Sequence, residues 1–354
     1  MVTFRPTLKG QVMASADLAH EESPAILALR DWLLELQGAI QRHTVQVLQQ
    51  RTSERLAQVA RESPGDTIYE IDRGLDELII ERCQRLAEHY TFVLIAEGDR
   101  RVFPLGARET EAAFRLVMDP LDGTRGIMYD KRSAWTLAGV AADRGPDTTL
   151  ADVVLAVQTE IPTTKQYLAD TLWAIRGSGA KAVRRNLLTG QAQPFVPRPS
   201  RATGLSHGFA MLSKFFPGRK AIVAEIEERL YARLESLVSE SRVRVFDDQY
   251  ISTGGQLYEL AVGHDRFNGD IRAALMGAPW LAGYPPGLAV HPYDICTELI
   301  AREAGVVVTD LRGGPLRDRL SEEGQVSWLA YANRDLQLEI EPILQELLAE
   351  YGLL

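Results

Sequence analysis

Residues 116–126, LVMDPLDGTRG, end an apolar run in two aspartates, a proline, a glycine and a threonine within six positions. A strand that delivers Asp119 to a sheet edge, with Pro120 stiffening the turn, brings Asp122 back to the same point three residues later. Two carboxylates so close raise each other's pKa unless a cation lies between them, and hard oxygen donors select Mg²⁺ or Mn²⁺ over zinc. Gly123 and Thr124 then open a new backbone segment, where free N–H groups and a hydroxyl could hold a phosphate oxygen beside the metal. Asp-Pro and Asp-Gly are also ordinary turn formers, so the motif alone leaves both readings open. Further acids stand where a metal cluster would need them: Glu97 at the end of the preceding strand, Asp294 in HPYD, and Asp72 in YEIDRGLDE with Asp76 one helical turn on. Singly these read as a surface acid, an N-cap and a solvated helix charge; together they fit the cluster.

Around that motif the chain alternates helical and strand patterns. Leu29, Leu33, Leu34, Leu36 and Ile40 recur at helical spacing behind Ser23, a candidate N-cap, and Pro24. A second helical pattern, LDELIIERCQRLAEHY, leads into TFVLIAE, a strand ending at Glu97, and FRLVMD reads as a strand ending at Asp119. AWTLAGVAAD, ADVVLAVQT and QYLADTLWAI make the middle of the chain strand-rich and antiparallel. The proline-bearing segment 187–204 reads as a loop or subdomain boundary, dividing the chain into units 1–185 and 186–354. Beyond it, 218–240 is helical, RVRVFD is a short strand, GGQLYELAVG is a small-residue helix or a tight turn into one, and HPYDICTELIAREAG is a helix ended by Gly305. The strands VVVTD and SWLAYAN and a last amphipathic helix close the pattern.

Composition excludes several classes of function. With 354 residues and a net charge of -9, the chain lacks the basic surface of a nucleic-acid binder, and no apolar run approaches a membrane span. The first twenty residues carry no apolar core of a secretory signal, so the cytoplasm is the expected location. Cys83 and Cys296 suit buried hydrophobes rather than a disulfide framework or a metal cluster with the six histidines.

At these residues the sequence resembles the inositol monophosphatase superfamily of metal-dependent, lithium-sensitive phosphatases, which includes fructose-1,6-bisphosphatases and 3′-phosphoadenosine-5′-phosphate phosphatases. RESPGDTIYEID is similar to the family's basic, Ser-Pro and TxxD segment, LIAEGD to its GEE loop and VMDPLDGTRG to its DPxDGT signature. HPYDICTELIAREAGVVVTDLRGGPL is similar to the family's second long signature, and AYAN to its last strand. The resemblance covers nearly the whole chain and implies an α+β fold, a five-layered αβαβα sandwich, and a homodimer. It implies two or three Mg²⁺ ions, with Mn²⁺ possible: Glu97, Asp119 and the Leu121 carbonyl on a first, Asp119, Asp122 and Asp294 on a second. It gives Asp72 and Thr124 the orienting and deprotonating of the attacking water, and gives the amides of Gly123 and Thr124 to the phosphate.

The sequence departs from the family pattern in places that bear on function. Gly98 replaces the second acid of the GEE loop, with Asp99 one position on, which weakens a third metal site. Arg125 places a cation near the phosphate cradle, and Tyr293 replaces a tryptophan. The substrate-reading stretch reads GHDRFNGD, with Asp270 where an inositol-contacting glutamate would be. The expected activity is Mg²⁺-dependent hydrolysis of a small polyol or sugar phosphate. Fructose 1,6-bisphosphate is the runner-up, with Lys214, Arg219 and Lys220 as candidates for a distal phosphate, and a nucleotide bisphosphate is third. A non-catalytic metal-binding scaffold with the phosphatase fold is the alternative of another class.

Overall fold

The computed structural model describes residues 23–63, 66–72, 74–234, 243–283 and 287–354, with the backbone alone at 60–63 and 66–68. Residues 1–22, Pro64 and the expected helix end at 235–240 lie outside the described residues, as do the side chains of Arg61 and Ser63.

The chain begins with α1 (Pro24–Gln50), α2 (Ser53–Leu56), a hairpin of β1 (Val59–Ser63) and β2 (Asp66–Tyr69), and α3 (Leu75–Leu86). Then come β3 (Phe92–Ala96), β4 (Asp99–Phe103), β5 (Phe114–Asp122), α4 (Thr124–Ile127), β6 (Ala134–Ala142), β7 (Val153–Ile161), β8 (Leu168–Ile175), β9 (Ala180–Asn186) and β10 (Ala192–Phe195). After them are β11 (Gly208–Leu212), α5 (Lys220–Arg233), β12 (Val245–Phe246), α6 (Thr253–Ala261), β13 (Asp265–Asp270) and α7 (Arg272–Gly277). The chain closes with α8 (Glu298–Ala304), β14 (Val307–Thr309), β15 (Trp328–Tyr331) and α9 (Arg334–Glu350).

Five layers result. Helices α1 and α3 cover one face of an eight-stranded sheet ordered β10-β9-β8-β7-β6-β5-β3-β4; α6 and α8 fill the space between it and a five-stranded sheet ordered β12-β11-β13-β15-β14. Helices α5 and α9 cover the far face. The α+β, αβαβα architecture is therefore the one the family resemblance implies. Among the described residues no helix is long and apolar enough to cross a membrane.

Local chemistry explains the outer layer. The Ser23 hydroxyl accepts from the Ile26 amide at 3.2 Å, and Pro24 sits in the first turn. Ile26, Leu29, Leu33, Leu36 and Ile40 are buried along one stripe of α1, each such side chain contributing about 1.5–3 kcal/mol by leaving water. Gln37 and Gln41 lie on the same buried face, and their amides donate to the Val157 and Glu160 carbonyls of β7 at 2.8 and 2.6 Å. Helix and sheet are thus joined by polar as well as apolar contacts.

Three expectations need correction. The proline-bearing segment 187–204 contains β10, which pairs antiparallel with β9 at the sheet edge, where Pro194 is tolerated because no further strand needs its N–H. The strand expected to end at Asp119 runs on to Asp122. The helix expected over HPYDICTELIAREAG starts only at Glu298; residues 292–297 form turns, and Gly305 ends the helix in the left-handed region at φ 109°.

Candidate metal and phosphate site

In a regular strand, residues three apart point to opposite faces. Asp119 pairs with Leu137 but Asp122 with Trp135, so three steps on β5 match two on β6 and a bulge falls at Pro120 and Leu121. A bulge re-aims side chains, and the proline that cannot donate to the ladder sits within it. Asp119 and Asp122 accordingly line one cleft together with the intervening Leu121, and with Gly123, Thr124 and Arg125 at the start of α4. Gly123 turns the corner at φ 97°, a conformation that favours glycine.

Two further acids reach this cleft from other elements. Strand β3 runs parallel to β5 with Ala96 opposite Met118, so Glu97 follows beside Asp119. Asp294 arrives on the turn before α8: its Oδ2 accepts from the His291 amide at 2.7 Å, and His291 Nδ1 lies 3.5 Å away. The approach depends on Gly139 of β6, where a Cβ would stand 2.9 Å from the Cys296 carbonyl oxygen.

Asp122 is held by the first turn of α6. Its Oδ2 accepts from Ser252 Oγ at 2.8 Å and the Gly254 amide at 2.6 Å, and its Oδ1 from the Thr253 amide at 3.2 Å. Ser252 is also the N-cap of that helix, accepting from the Gly255 amide at 2.9 Å. Gly254 allows the close approach, since a Cβ there would lie 2.4 Å from Leu137 and 3.0 Å from Asp122 Oδ2. Asp119 has the Leu121 amide at 2.9 Å, and the Thr124 hydroxyl donates to the Leu121 carbonyl at 2.7 Å.

Around the carboxylates themselves like charge dominates. Burial, with Glu97, Asp122 and Asp294 facing it, holds Asp119 well above the usual carboxylate range. Burial and the Asp294 charge push Asp122 up to about 7, against the pull of Ser252 and the two amides. Burial, together with Asp119, Asp294 and Asp122, also raises the Cys296 thiol. Four carboxylates and a carbonyl are hard oxygen donors that fit Mg²⁺ or Mn²⁺, and a cation would relieve their repulsion. As they stand, Asp122 and Asp294 are turned onto protein donors. Among the described residues no three His, Cys, Asp or Glu side chains are already drawn together as around a bound ion.

Other residues singled out by sequence fall elsewhere. Asp72 is not in the cleft wall; its Oδ2 accepts from the Tyr69 amide at 2.8 Å, in the turn before α3. Asp76 is exposed on α3, and Asp99 pairs with Arg101 at 2.7 Å. Lys214 is held between Glu227 at 2.8 Å and Asp247 at 2.5 Å, while Arg219 and Lys220 line an adjoining cavity. Asp270 is buried with its carboxylate on Arg272, and it is Arg272 that faces the cleft. Sequence reasoning missed Arg272, Ser252, His291 and the pair Phe215–Phe216, all of which line it. The HPYD signature carried a signal for His291; nothing local marked the others.

No sequence-family profile and no curated protein matches the chain. Solved structures do match in shape. The extragenic suppressor protein suhB of Bartonella henselae superposes with a TM-score of 0.62 at 18% identity over 90% of this chain and 98% of that one. An IMPase of Thermotoga maritima gives 0.56 at 18% over 91% and 98%, and the fructose-1,6-bisphosphatase of Leishmania major 0.62 at 11% over 95% and 99%. By architecture, the chain has the fold shared by inositol monophosphatases and fructose-1,6-bisphosphatases.

Proposed function

We propose that the chain is a Mg²⁺-dependent phosphate monoester hydrolase acting on a small polyol or sugar phosphate. The observation that carries this reading is the convergence of Glu97, Asp119, Leu121, Asp122 and Asp294 on one cleft beside Gly123 and Thr124, on a fold that solved phosphatases share. In this reading Glu97, Asp119 and the Leu121 carbonyl hold one ion, and Asp119, Asp122 and Asp294 another. Bound there, the metal lowers the pKa of water and neutralises charge on the ester oxygens.

The protein groups supply binding and orientation. The amides at Gly123 and Thr124 face the phosphate, and Arg125 adds a cation next to them. The Thr124 hydroxyl donates to Leu121, which leaves its lone pairs to accept from the attacking water. The resemblance gives the other proton of that water to Asp72, which stands outside the cleft wall on the turn behind Tyr69, whose ring lies 5.9 Å from the Arg125 guanidinium. Phosphate monoesters hydrolyse so slowly unaided that charge stabilisation of this kind is the main requirement.

The test is phosphate release from inositol 1-phosphate, fructose 1,6-bisphosphate and adenosine 3′,5′-bisphosphate, with Mg²⁺, with EDTA and with Li⁺, alongside Asp119→Asn. The reading expects Mg²⁺-dependent release that both EDTA and the variant abolish. Calorimetric Mg²⁺ binding with no release from any ester would overturn it in favour of a metal-binding scaffold.

A further inference from the structure

Besides the carboxylates, the cleft is lined by cationic and aromatic side chains. Arg125 lies 5.2 Å from the centre of the Phe216 ring, and Arg272 lies 5.2 Å from the same ring and 4.4 Å from that of Phe215. Two guanidinium groups from distant parts of the chain are thus held on one phenylalanine at the cleft. Because those ring faces already carry guanidinium groups, the wall presents charge rather than a bare ring.

Arg272 is built in rather than adventitious. Its side chain is 11% exposed; Nε bonds both Asp270 oxygens at 3.0 and 2.9 Å, Nη2 bonds Asp270 at 2.5 Å, and Nη1 donates to the Leu288 carbonyl at 2.9 Å. These bonds fix the plane of the fork and leave one N–H on each terminal nitrogen, from the five a guanidinium carries. They also consume Asp270. An acid free to accept from substrate hydroxyls would suit a polyol; here that acid is neutralised and a cation stands in front of it. Arg272 and Phe216 continue as the wall of the adjoining cavity with Arg219 and Lys220, so positive charge extends away from the carboxylates.

We propose that Arg272, with Arg125, selects esters whose leaving group carries a second anionic group, a carboxylate or a phosphate, at the end away from the scissile phosphate. This deepens the phosphatase reading and rests on it. Arg272 is the specificity-determining residue: it adds a charge-assisted contact that a neutral polyol cannot make.

The experiment compares matched substrates with the full chain and Mg²⁺: 3-phosphoglycerate against glycerol 3-phosphate, and fructose 1,6-bisphosphate against fructose 1-phosphate. In each pair kcat/KM is expected to favour the ester with the extra anion by about tenfold or more, the size of a charge-assisted hydrogen bond. A gain in only one pair assigns the group as carboxylate or phosphate. Because Arg272 neutralises a buried acid, the informative variant is the double change Arg272→Gln with Asp270→Asn, which leaves no unpaired charge. With Arg125 retained, its ratio is expected to fall several-fold toward one. Equal rates within both pairs, or an undiminished ratio in the double variant, overturn this inference alone. No release from any of the four esters overturns the phosphatase reading and this inference with it.

Discussion

Trp135 joins two cavities in which buried carboxylates differ in how far the protein itself satisfies them. Its strand partner Asp122 lines the acid cleft, while its own side chain lines a second cavity with Glu160 and Asp170. In the second, every acid has donors of its own. Glu160 accepts from Ser133 Oγ at 2.6 Å, Gln166 Nε2 at 3.2 Å and the Asp170 amide at 3.0 Å. Asp170 takes the fork of Arg184 at 2.8 and 2.7 Å and the Tyr258 hydroxyl at 2.7 Å. In the first, Asp119 has one amide and faces three carboxylates. Glu160 and Asp170 are answered by several donors of the protein, whereas Asp119 has a single amide against like charge, the pattern expected of a group that serves binding rather than architecture.

The contrast is tested hardest by removing one acid from each cavity. Asp119→Asn is expected to cut phosphate release by at least about 100-fold, as loss of a charge-stabilising group does elsewhere, and to raise the melting temperature of the metal-free protein by relieving repulsion. Asp170→Asn is expected to lower stability by about 2 kcal/mol, less than the 3–5 typical of a broken buried pair because Arg184 is half exposed and can turn to water. Shifts of the same sign for both variants in thermal melts would break the comparison.

The pH profile sharpens it. Asp122 titrates near 7 in the folded chain and near the ordinary carboxylate value when unfolded, so between those values the folded state binds the extra proton. In EDTA, stability is therefore highest below about pH 4 as far as this group is concerned and falls as pH rises through about 7. Asp122→Asn is expected to flatten that slope in urea titrations, and Mg²⁺ to oppose it.

Two smaller substitutions probe how the cleft is assembled. Gly139→Ala drives a methyl against the Cys296 carbonyl and is expected to cost about 1–3 kcal/mol, as overpacking does, and to weaken Mg²⁺ binding by calorimetry because the turn carrying Asp294 must shift. Ser252→Ala removes one of three donors to Asp122 and the cap of α6. About 1 kcal/mol of stability is expected to be lost, with Ser252→Thr restoring it.

Much of this was legible in the sequence, for reasons that differ by element. Helix α1 is buried along one stripe, so its periodicity is strong, while strands β3 and β5 to β8 are buried on both faces over most of their length and read as apolar runs. Strands β4, β9 and β10 lie toward the edges of the sheet and carry DRRVF, AKAVRRN and AQPF, where charge and proline hide the signal. Strand β13 reads DRFNGD because its polar residues are buried against partners: Asn268 donates to Asp265 at 2.7 Å, and Asp270 binds Arg272. The acid motif announced Asp119 and Asp122, but the bulge that aims them required strand register. Arg272 was invisible for a similar reason, since its role rests on Asp270 two residues back and on Phe215 and Phe216 more than fifty residues away.

The bonds from Asp122 to the start of α6 also decide how the molecule comes apart. Amides in the first turn of a helix are ordinarily the first to fray and exchange with solvent. The Gly254 amide instead is buried on a carboxylate of the neighbouring sheet, and releasing it would strand that acid without its donors. Its hydrogen is therefore exchanged only when the first sheet and the middle layer separate, so its exchange rate reports the opening of the whole sandwich rather than the fraying of one helix.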